Sequence, residues 1–117
     1  MIGQTMFRVL AQRTGWEVCG SVRNPATGTF AGSDALVTGV DLSNPDQLGG
    51  LFRRTRPNVV VNCAGLTKHV AGGNDPVPAM TMNALLPHRL DDLCAVAGAW
   101  LIHVSTVCVF AGLAGNY

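Results

Sequence analysis

The chain has 117 residues, of which 48% are apolar and 13% are charged, and its formal net charge is +1. This length suits one modest domain, and the composition is typical of a globular chain rather than a disordered one. The sequence has no apolar run of about 18 residues, so no membrane span is predicted. It also has no basic stripe interleaved with aromatic residues, so binding to nucleic acid is not predicted.

The cysteines and histidines predict neither disulfides nor a metal site. No cysteine pair has C-x-x-C spacing, and each cysteine lies in an apolar stretch, at Cys19, Cys63, Cys94 and Cys108. Buried, reduced thiols of this kind are typical of a cytoplasmic protein. The three histidines are scattered along the chain, so the sequence predicts no metal centre.

The first third of the chain predicts one helix followed by two strands. Helical spacing of apolar residues begins at Ile2 and continues to Arg13, and Gly15 ends it. Two segments rich in strand-forming residues follow, Trp16–Val22 and Ala35–Val40. The loop between them contains glycines, a proline and small polar residues.

The remaining two thirds predict helix, strand, helix and strand. After Asp41, a helix start is predicted from a capping side chain, an early proline and an acid in the first turn, among Ser43, Asn44, Pro45 and Asp46, and Pro57 ends the helix. Asn58–Ala64 predicts a strand buried on both faces. Pro76–Ala97 predicts one long helix, and Trp100–Ser105 predicts the last strand. The core-facing side of the long helix is predicted at Met80, Ala84, Leu90, Leu93, Cys94 and Ala97.

This alternation predicts an α/β fold with a parallel sheet and right-handed crossovers, of the Rossmann doubly wound type. Such sheets open with a strand, whereas this chain opens with a helix.

Three residues near the starts or ends of the early elements are candidates for cofactor binding. Gly3 lies at the start of the first helix, where a Rossmann domain has a glycine that allows close helix–strand packing. Arg23 follows a strand and is either a ligand for the 2′-phosphate of NADP or an ordinary surface arginine. Asp41 either accepts a hydrogen bond from adenine or caps the following helix.

Three later segments are candidates for the same site. The small residues that follow Asn62, namely Cys63, Ala64 and Gly65, allow a cofactor to approach the backbone, or simply make a tight exit from the strand. Asn83 lies four residues before Pro87, which removes the hydrogen bond to the carbonyl of Asn83 and predicts a kink. Its amide either finds polar partners in a buried site or faces solvent.

The last strand ends in Ser105 and Thr106. A hydroxyl group there can donate a hydrogen bond to a substrate carbonyl and so polarise it for hydride attack. Alternatively, the two residues are an ordinary polar exit from the strand.

Together these segments resemble the extended short-chain dehydrogenase/reductases, and within them the dTDP-4-dehydrorhamnose reductases. The matching stretches are VDLSNPDQL, RPNVVVNCAG, MNALLPHRLDDLC and AWLIHVSTVCVFAG, and the opening MIGQTMFRVL resembles the end of the glycine motif with the first helix. The resemblance implies hydride transfer from NADP or NAD to a 4-keto sugar linked to a nucleotide, in surface polysaccharide synthesis.

The resemblance also implies a role for each candidate residue. Gly3 would contact the pyrophosphate, Arg23 the 2′-phosphate, and Asp41 and Leu42 would flank the adenine. Cys63, Ala64 and Gly65 would lie beneath the cofactor, with Asn83 near its nicotinamide half. Thr106 would be the catalytic hydroxyl residue, with Ser105 beside it.

The chain departs from the family pattern in three places. The first strand and two glycines are missing before Met1, and no tyrosine-x-x-x-lysine pair is present. Val107 stands where the family has aspartate. The resemblance therefore implies that residues 1–117 form a partial NAD(P)-binding Rossmann domain, in which the first strand and the C-terminal part are missing. We therefore expect the chain alone to be inactive as a reductase. The alternative is a non-catalytic, NADP-binding regulatory module, and the expected parent is a cytoplasmic enzyme, with the possibility that it is a homo-oligomer.

Overall fold

The computed structural model describes residues 2–24, 34–67 and 75–105. Helices and strands alternate in the order that the sequence predicts, which confirms the α/β class. The elements are α1 (Ile2–Ala11), β1 (Gly20–Val22), β2 (Leu36–Thr38), α2 (Pro45–Thr55), β3 (Val59–Asn62), α3 (Pro76–Met80), a π-helical turn (Thr81–Leu85), α4 (Leu86–Ala97) and β4 (Trp100–His103).

The strands form two parallel pairs, as a Rossmann-type sheet requires. Strand β1 pairs with β2, and Ser21 lies opposite Val37. Strand β3 pairs with β4, and Val61 lies opposite Ile102. Within the described ranges, no strand joins the two pairs into one sheet. This is the arrangement expected for the order 3-2-1-4-5 when the central strand is not among the paired elements.

Helix α1 approaches both strand pairs, each through a single residue of the helix. A Cβ atom placed on Gly20 would lie 3.1 Å from Phe7 Cδ2 and 2.9 Å from Leu36 Cδ1. A Cβ atom placed on Gly3 would lie 3.4 Å from Cys63 Cβ. The helix therefore contacts β1 at its amino end and the chain just beyond the carboxyl end of β3. These contacts fit a helix that runs antiparallel to both strands.

The hydrophobic core lies between α2, α4 and one face of the β3–β4 pair. Its buried members come from the two helices, and partly buried residues such as Val60 and Leu101 pack against them. The buried set is Leu48, Phe52, Leu86, Leu90 and Cys94.

The prediction that β3 is buried on both faces is wrong. Val59 is 51% exposed, and its cross-strand neighbour Trp100 is 78% exposed. Side chains alternate between the two faces of a strand, so Val60 points to the core while Val59 lies on the opposite face. No described helix covers Val59 and Trp100 in the way that α2 and α4 cover the core face.

The ends of α2 follow the sequence prediction closely. Asn44 Oδ1 accepts hydrogen bonds from the backbone N–H groups of Asp46 and Gln47, at 2.9 and 3.3 Å. Pro45 occupies the first turn, where its missing N–H group costs nothing. Arg56, in a left-handed conformation, donates its backbone N–H to the carbonyl of Phe52 and ends the helix.

The long predicted helix is present, but it contains a π-helical turn instead of a simple kink. The N–H of Leu86 reaches the carbonyl of Thr81, one residue further back than in an α-helix. The extra residue shifts the core-facing positions, so Met82 packs against the core. The predicted core positions Met80, Ala84 and Ala97 are exposed, and this part of the prediction is wrong.

Three of the four cysteines lie in described segments. Cys94 is buried, Cys63 is partly buried and Cys19 is exposed, and none of the three forms a disulfide. The prediction of buried thiols is therefore wrong for Cys19, which precedes β1 and has no described element over it. Cys108 lies outside the described residues. None of the described helices is long and apolar enough to cross a membrane.

Candidate cofactor site at the carboxyl ends of the strands

The residues that follow β1 and β2 meet through an ion pair. The backbone N–H of Val40 donates to the carbonyl of Val22 at 3.1 Å, which holds the two strand ends side by side. Just beyond them, Arg23 donates a hydrogen bond through Nη2 to Asp41 Oδ2 at 3.0 Å. The structure therefore brings together two residues that the sequence predicts for different parts of the cofactor.

Asp41 is held by its own loop as well as by Arg23. Its Oδ1 accepts hydrogen bonds from the backbone N–H and the hydroxyl of Ser43, at 2.9 and 2.6 Å. These two bonds are the main reason that the pKa of the Asp41 carboxyl lies below its usual value, and the charge of Arg23 adds to the effect. The carboxylate is therefore ionised at neutral pH. Asn44, and not Asp41, caps α2, so the capping interpretation of Asp41 is wrong.

The chain after β3 is fixed by the side chain of its last residue. Asn62 is 4% exposed, and its Oδ1 accepts the backbone N–H of Ala64 at 3.0 Å. Its Nδ2 lies 3.1 Å from Nδ1 of His103 on the neighbouring strand. Because Nδ2 can only donate, Nδ1 is the acceptor and the ring proton is on Nε2. These bonds set the direction in which Cys63, Ala64 and Gly65 leave the sheet.

Asn83 is directed at the same segment and not at solvent. Its Oδ1 accepts the backbone N–H of Leu66, and its Nδ2 donates to the backbone carbonyl of Leu66, both at 2.8 Å. A Cβ atom on Gly65 would lie 3.2 Å from Asn83 Oδ1, so a larger residue would crowd this contact. The amide thus finds its partners in the protein backbone and ties the π-helical turn to the exit of β3.

Two further predicted residues lie beside this edge. Leu42 is partly buried and packs against the core. Its side chain therefore anchors the loop between β2 and α2 to the core. Ser105 is exposed, two residues beyond the end of β4. Thr106 lies outside the described residues.

The sequence of the whole chain matches one protein family. Residues 1–117 match the family described as the RmlD substrate binding domain. The chain belongs to this family. As in the predicted fold, its described elements form part of a Rossmann-type α/β arrangement.

Several curated relatives match part of the chain. It is 35% identical over 72 residues to the dTDP-4-dehydrorhamnose reductase of Salmonella typhimurium strain LT2, covering 62% of this chain and 24% of that protein. It is 42% identical over 77 residues to the enzyme of Streptomyces griseus, covering 66% and 25%. It is 38% identical over 72 residues to that of Mycobacterium tuberculosis strain H37Rv, covering 62% and 23%. The chain thus spans about a quarter of the length of these relatives.

Sequence reasoning missed several residues that shape the site in this RmlD family member. Ser43 and Gln47 both bind Asp41, and Gln47 Oε1 accepts its backbone N–H at 2.7 Å. The Asp-x-Ser spacing was a usable signal, because an aspartate often bonds to the backbone two residues later. His103 could be found only from the register that places it opposite Asn62.

Proposed function

We propose that this chain forms the adenosine-binding side of an NAD(P)H-dependent reductase whose substrate is a 4-keto sugar linked to dTDP. The observation that carries the proposal is the Arg23–Asp41 pair at the carboxyl ends of two parallel strands. Ligands of open α/β sheets bind at this edge. The substrate class is supported by the relatives that the chain matches, which are dTDP-4-dehydrorhamnose reductases.

Two features of the described residues suit NADP, namely the exposed charge of Arg23 and the small size of Gly3. The side chain of Arg23 is 73% exposed, and a guanidinium group carries five N–H donors for phosphate oxygens. Gly3 allows α1 to approach Cys63 closely, with room for no more than a methyl group between them. The start of α1 therefore lies beside the exit of β3, where the dipole of a helix amino end stabilises a pyrophosphate.

Each residue in the proposed reaction binds or positions a group. The nicotinamide cofactor supplies the hydride when it is bound. Arg23 binds the 2′-phosphate, and Asp41 with Leu42 borders the adenine. The cofactor lies against the segment formed by Cys63, Ala64 and Gly65. Asn83 holds this segment in place through its hydrogen bonds to Leu66. Ser105 and Thr106 are proposed to donate a hydrogen bond to the keto oxygen, which stabilises negative charge as it develops there.

The curated relatives' activity also requires an acid that delivers a proton to the keto oxygen. The chain has a single tyrosine, Tyr117, and a single lysine, Lys68, so a tyrosine-x-x-x-lysine pair cannot be formed within it. Val107, in place of the family's aspartate, favours the second candidate, a module that binds NADP without catalysis. Both candidates require that the chain bind the nucleotide. They differ in whether a protein that contains this chain reduces the keto sugar.

A titration of the 117-residue chain with NADPH and NADH tests the proposal. We expect saturable binding, followed by nicotinamide fluorescence. The substitution Arg23→Gln should weaken binding of NADPH by about five- to tenfold, because one exposed charge-assisted bond to the phosphate is lost. It should leave NADH nearly unchanged.

The matched control is Arg53→Gln, which removes another exposed arginine from the last turn of α2. This variant should bind NADPH like the unaltered chain. Absence of binding by the unaltered chain would overturn the proposal, and an equal loss in both variants would remove Arg23 from the site.

A further inference from the structure

The ion pair at the proposed ribose end of the site contains opposite charges with unequal freedom. Asp41 is anchored by Ser43 through its carboxylate and by Gln47 through its backbone N–H. Arg23 is anchored in the described structure by Asp41, through one nitrogen. The carboxylate therefore keeps its place when the guanidinium moves. The guanidinium, in contrast, is held in the described structure by its bond to the carboxylate.

The exposed fractions of the two side chains also indicate that Arg23 is the freer partner. The side chain of Arg23 is 73% exposed and that of Asp41 is 33% exposed. An incoming anion can therefore reach the guanidinium from solvent while the carboxylate remains beneath it. A phosphate bound to Arg23 then lies close to a fixed negative charge, and it must share the guanidinium with Asp41.

From this geometry we infer that Asp41 is a specificity-determining residue, whose carboxylate competes with the 2′-phosphate of the cofactor for Arg23. The inference rests on the proposed function and deepens it, since it assigns the balance between NADP and NAD to one carboxylate. Paired, the two side chains present no net charge to the ribose. Without the carboxylate, Arg23 presents a full positive charge to the 2′-phosphate.

The carboxylate also acts directly on the cofactor. A fixed negative charge repels a 2′-phosphate, whereas the 2′-hydroxyl group of NAD carries no charge for it to repel. Both effects act in the same direction, against the phosphorylated cofactor.

The substitution Asp41→Asn tests the inference, because asparagine keeps the shape and one acceptor oxygen for Ser43 while it removes the charge. We expect the ratio of the dissociation constants of NADH and NADPH to shift about three- to fivefold in favour of NADPH at low ionic strength, the size typical of an exposed ion pair. The shift should shrink in 0.5 M salt, where the Debye length is only a few ångströms (~4 Å).

The matched control is Asp46→Asn, which removes an exposed acid from the first turn of α2. It should leave the ratio unchanged. In a chain that carries Arg23→Gln, the further change Asp41→Asn should no longer favour NADPH by the same factor, since the contested guanidinium is gone.

A second measurement uses the unaltered chain and does not depend on the folding of a variant. The carboxyl carbon resonance of Asp41 should move when NADP⁺ is added, because Arg23 turns towards the phosphate, and should move less with NAD⁺.

The outcomes separate the inference from the proposed function. If the unaltered chain binds neither nucleotide, the proposed function fails and the inference fails with it. If both nucleotides bind but Asp41→Asn leaves their ratio unchanged, or Asp46→Asn shifts it equally, the inference alone is wrong. An Asp41 resonance that responds equally to both cofactors also contradicts it.

Discussion

Asn83 shows how far a single residue can be interpreted from sequence. Its position four residues before Pro87 predicts a kinked helix, with an amide that either finds polar partners or faces solvent. The structure has a π-helical turn instead of a simple kink, and the amide bonds to the backbone of Leu66. The partner itself, the backbone of Leu66, could not be predicted. It lies 17 positions earlier in a segment without periodic pattern, so only the packed structure determines which peptide group faces the helix.

At this residue we predict the effect of Asn83→Ala. Two hydrogen bonds of 2.8 Å to Leu66 would be lost, and the N–H and carbonyl of a partly buried peptide would lose their partner. Each such group costs about 1–3 kcal/mol when it is left unsatisfied, and water entry reduces the cost here. We expect the free energy of unfolding, measured by urea titration, to fall by about 2 kcal/mol.

The control is Asn58→Ala, which removes the side chain of an exposed asparagine before β3. It should change the free energy of unfolding by less than about 0.5 kcal/mol, as surface substitutions usually do. Equal effects of the two substitutions would show that the contacts of Asn83 with Leu66 contribute no stability of their own.

At the scale of elements, the helix starts were easier to predict than the strand limits. The cap of α2 depends on neighbouring residues alone, and Asn44, Pro45 and Asp46 stand where their chemistry requires. A strand needs a partner as well as suitable residues. Trp16–Cys19 has the composition of a strand, but pairing with β2 begins only at Gly20. Local composition therefore predicted a strand, Trp16–Val22, that is more than twice as long as the paired strand β1.

Asn44→Ala tests whether the local signal at α2 also carries stability. The variant loses the acceptor for the N–H groups of Asp46 and Gln47, and loss of such a cap costs about 1 kcal/mol. We expect a lower urea midpoint with an unchanged slope. Asn44→Asp, which keeps an acceptor and suits the helix dipole, should match the unaltered chain. A midpoint that is lowered equally in both variants would point to a role of the amide nitrogen instead.

In the molecule as a whole, the four described strands are each paired on one side only, and the open edges of β1 and β3 matter most. The carbonyls of Asn58 and Asn62 accept hydrogen bonds from the chain of β4, so the alternate residues Val59 and Val61 direct their N–H and carbonyl groups to the opposite edge. By the same alternation, Ser21 directs its groups away from β2. Among the described strands, none meets these edges. The order and direction of the strands followed from the sequence, but their separation into pairs depended on recognising a central strand by resemblance.

From these edges we predict that the 117-residue chain is marginally stable by itself. Several half-buried peptide groups lack strand partners among the described residues, each at a cost of up to about 1–3 kcal/mol, while a domain has a total margin of about 5–15 kcal/mol. The sheet face around Trp100 also leaves apolar surface exposed to water, which lowers the stability further. In a thermal scan followed by far-ultraviolet circular dichroism, we expect a broad transition below about 45 °C, the lower end of the range for mesophilic domains. Open edges can also pair between chains, so the transition should change with protein concentration. A sharp, concentration-independent melt above that temperature would mean that the two strand pairs and α1 form a self-sufficient core, and that these edges cost far less than their geometry indicates.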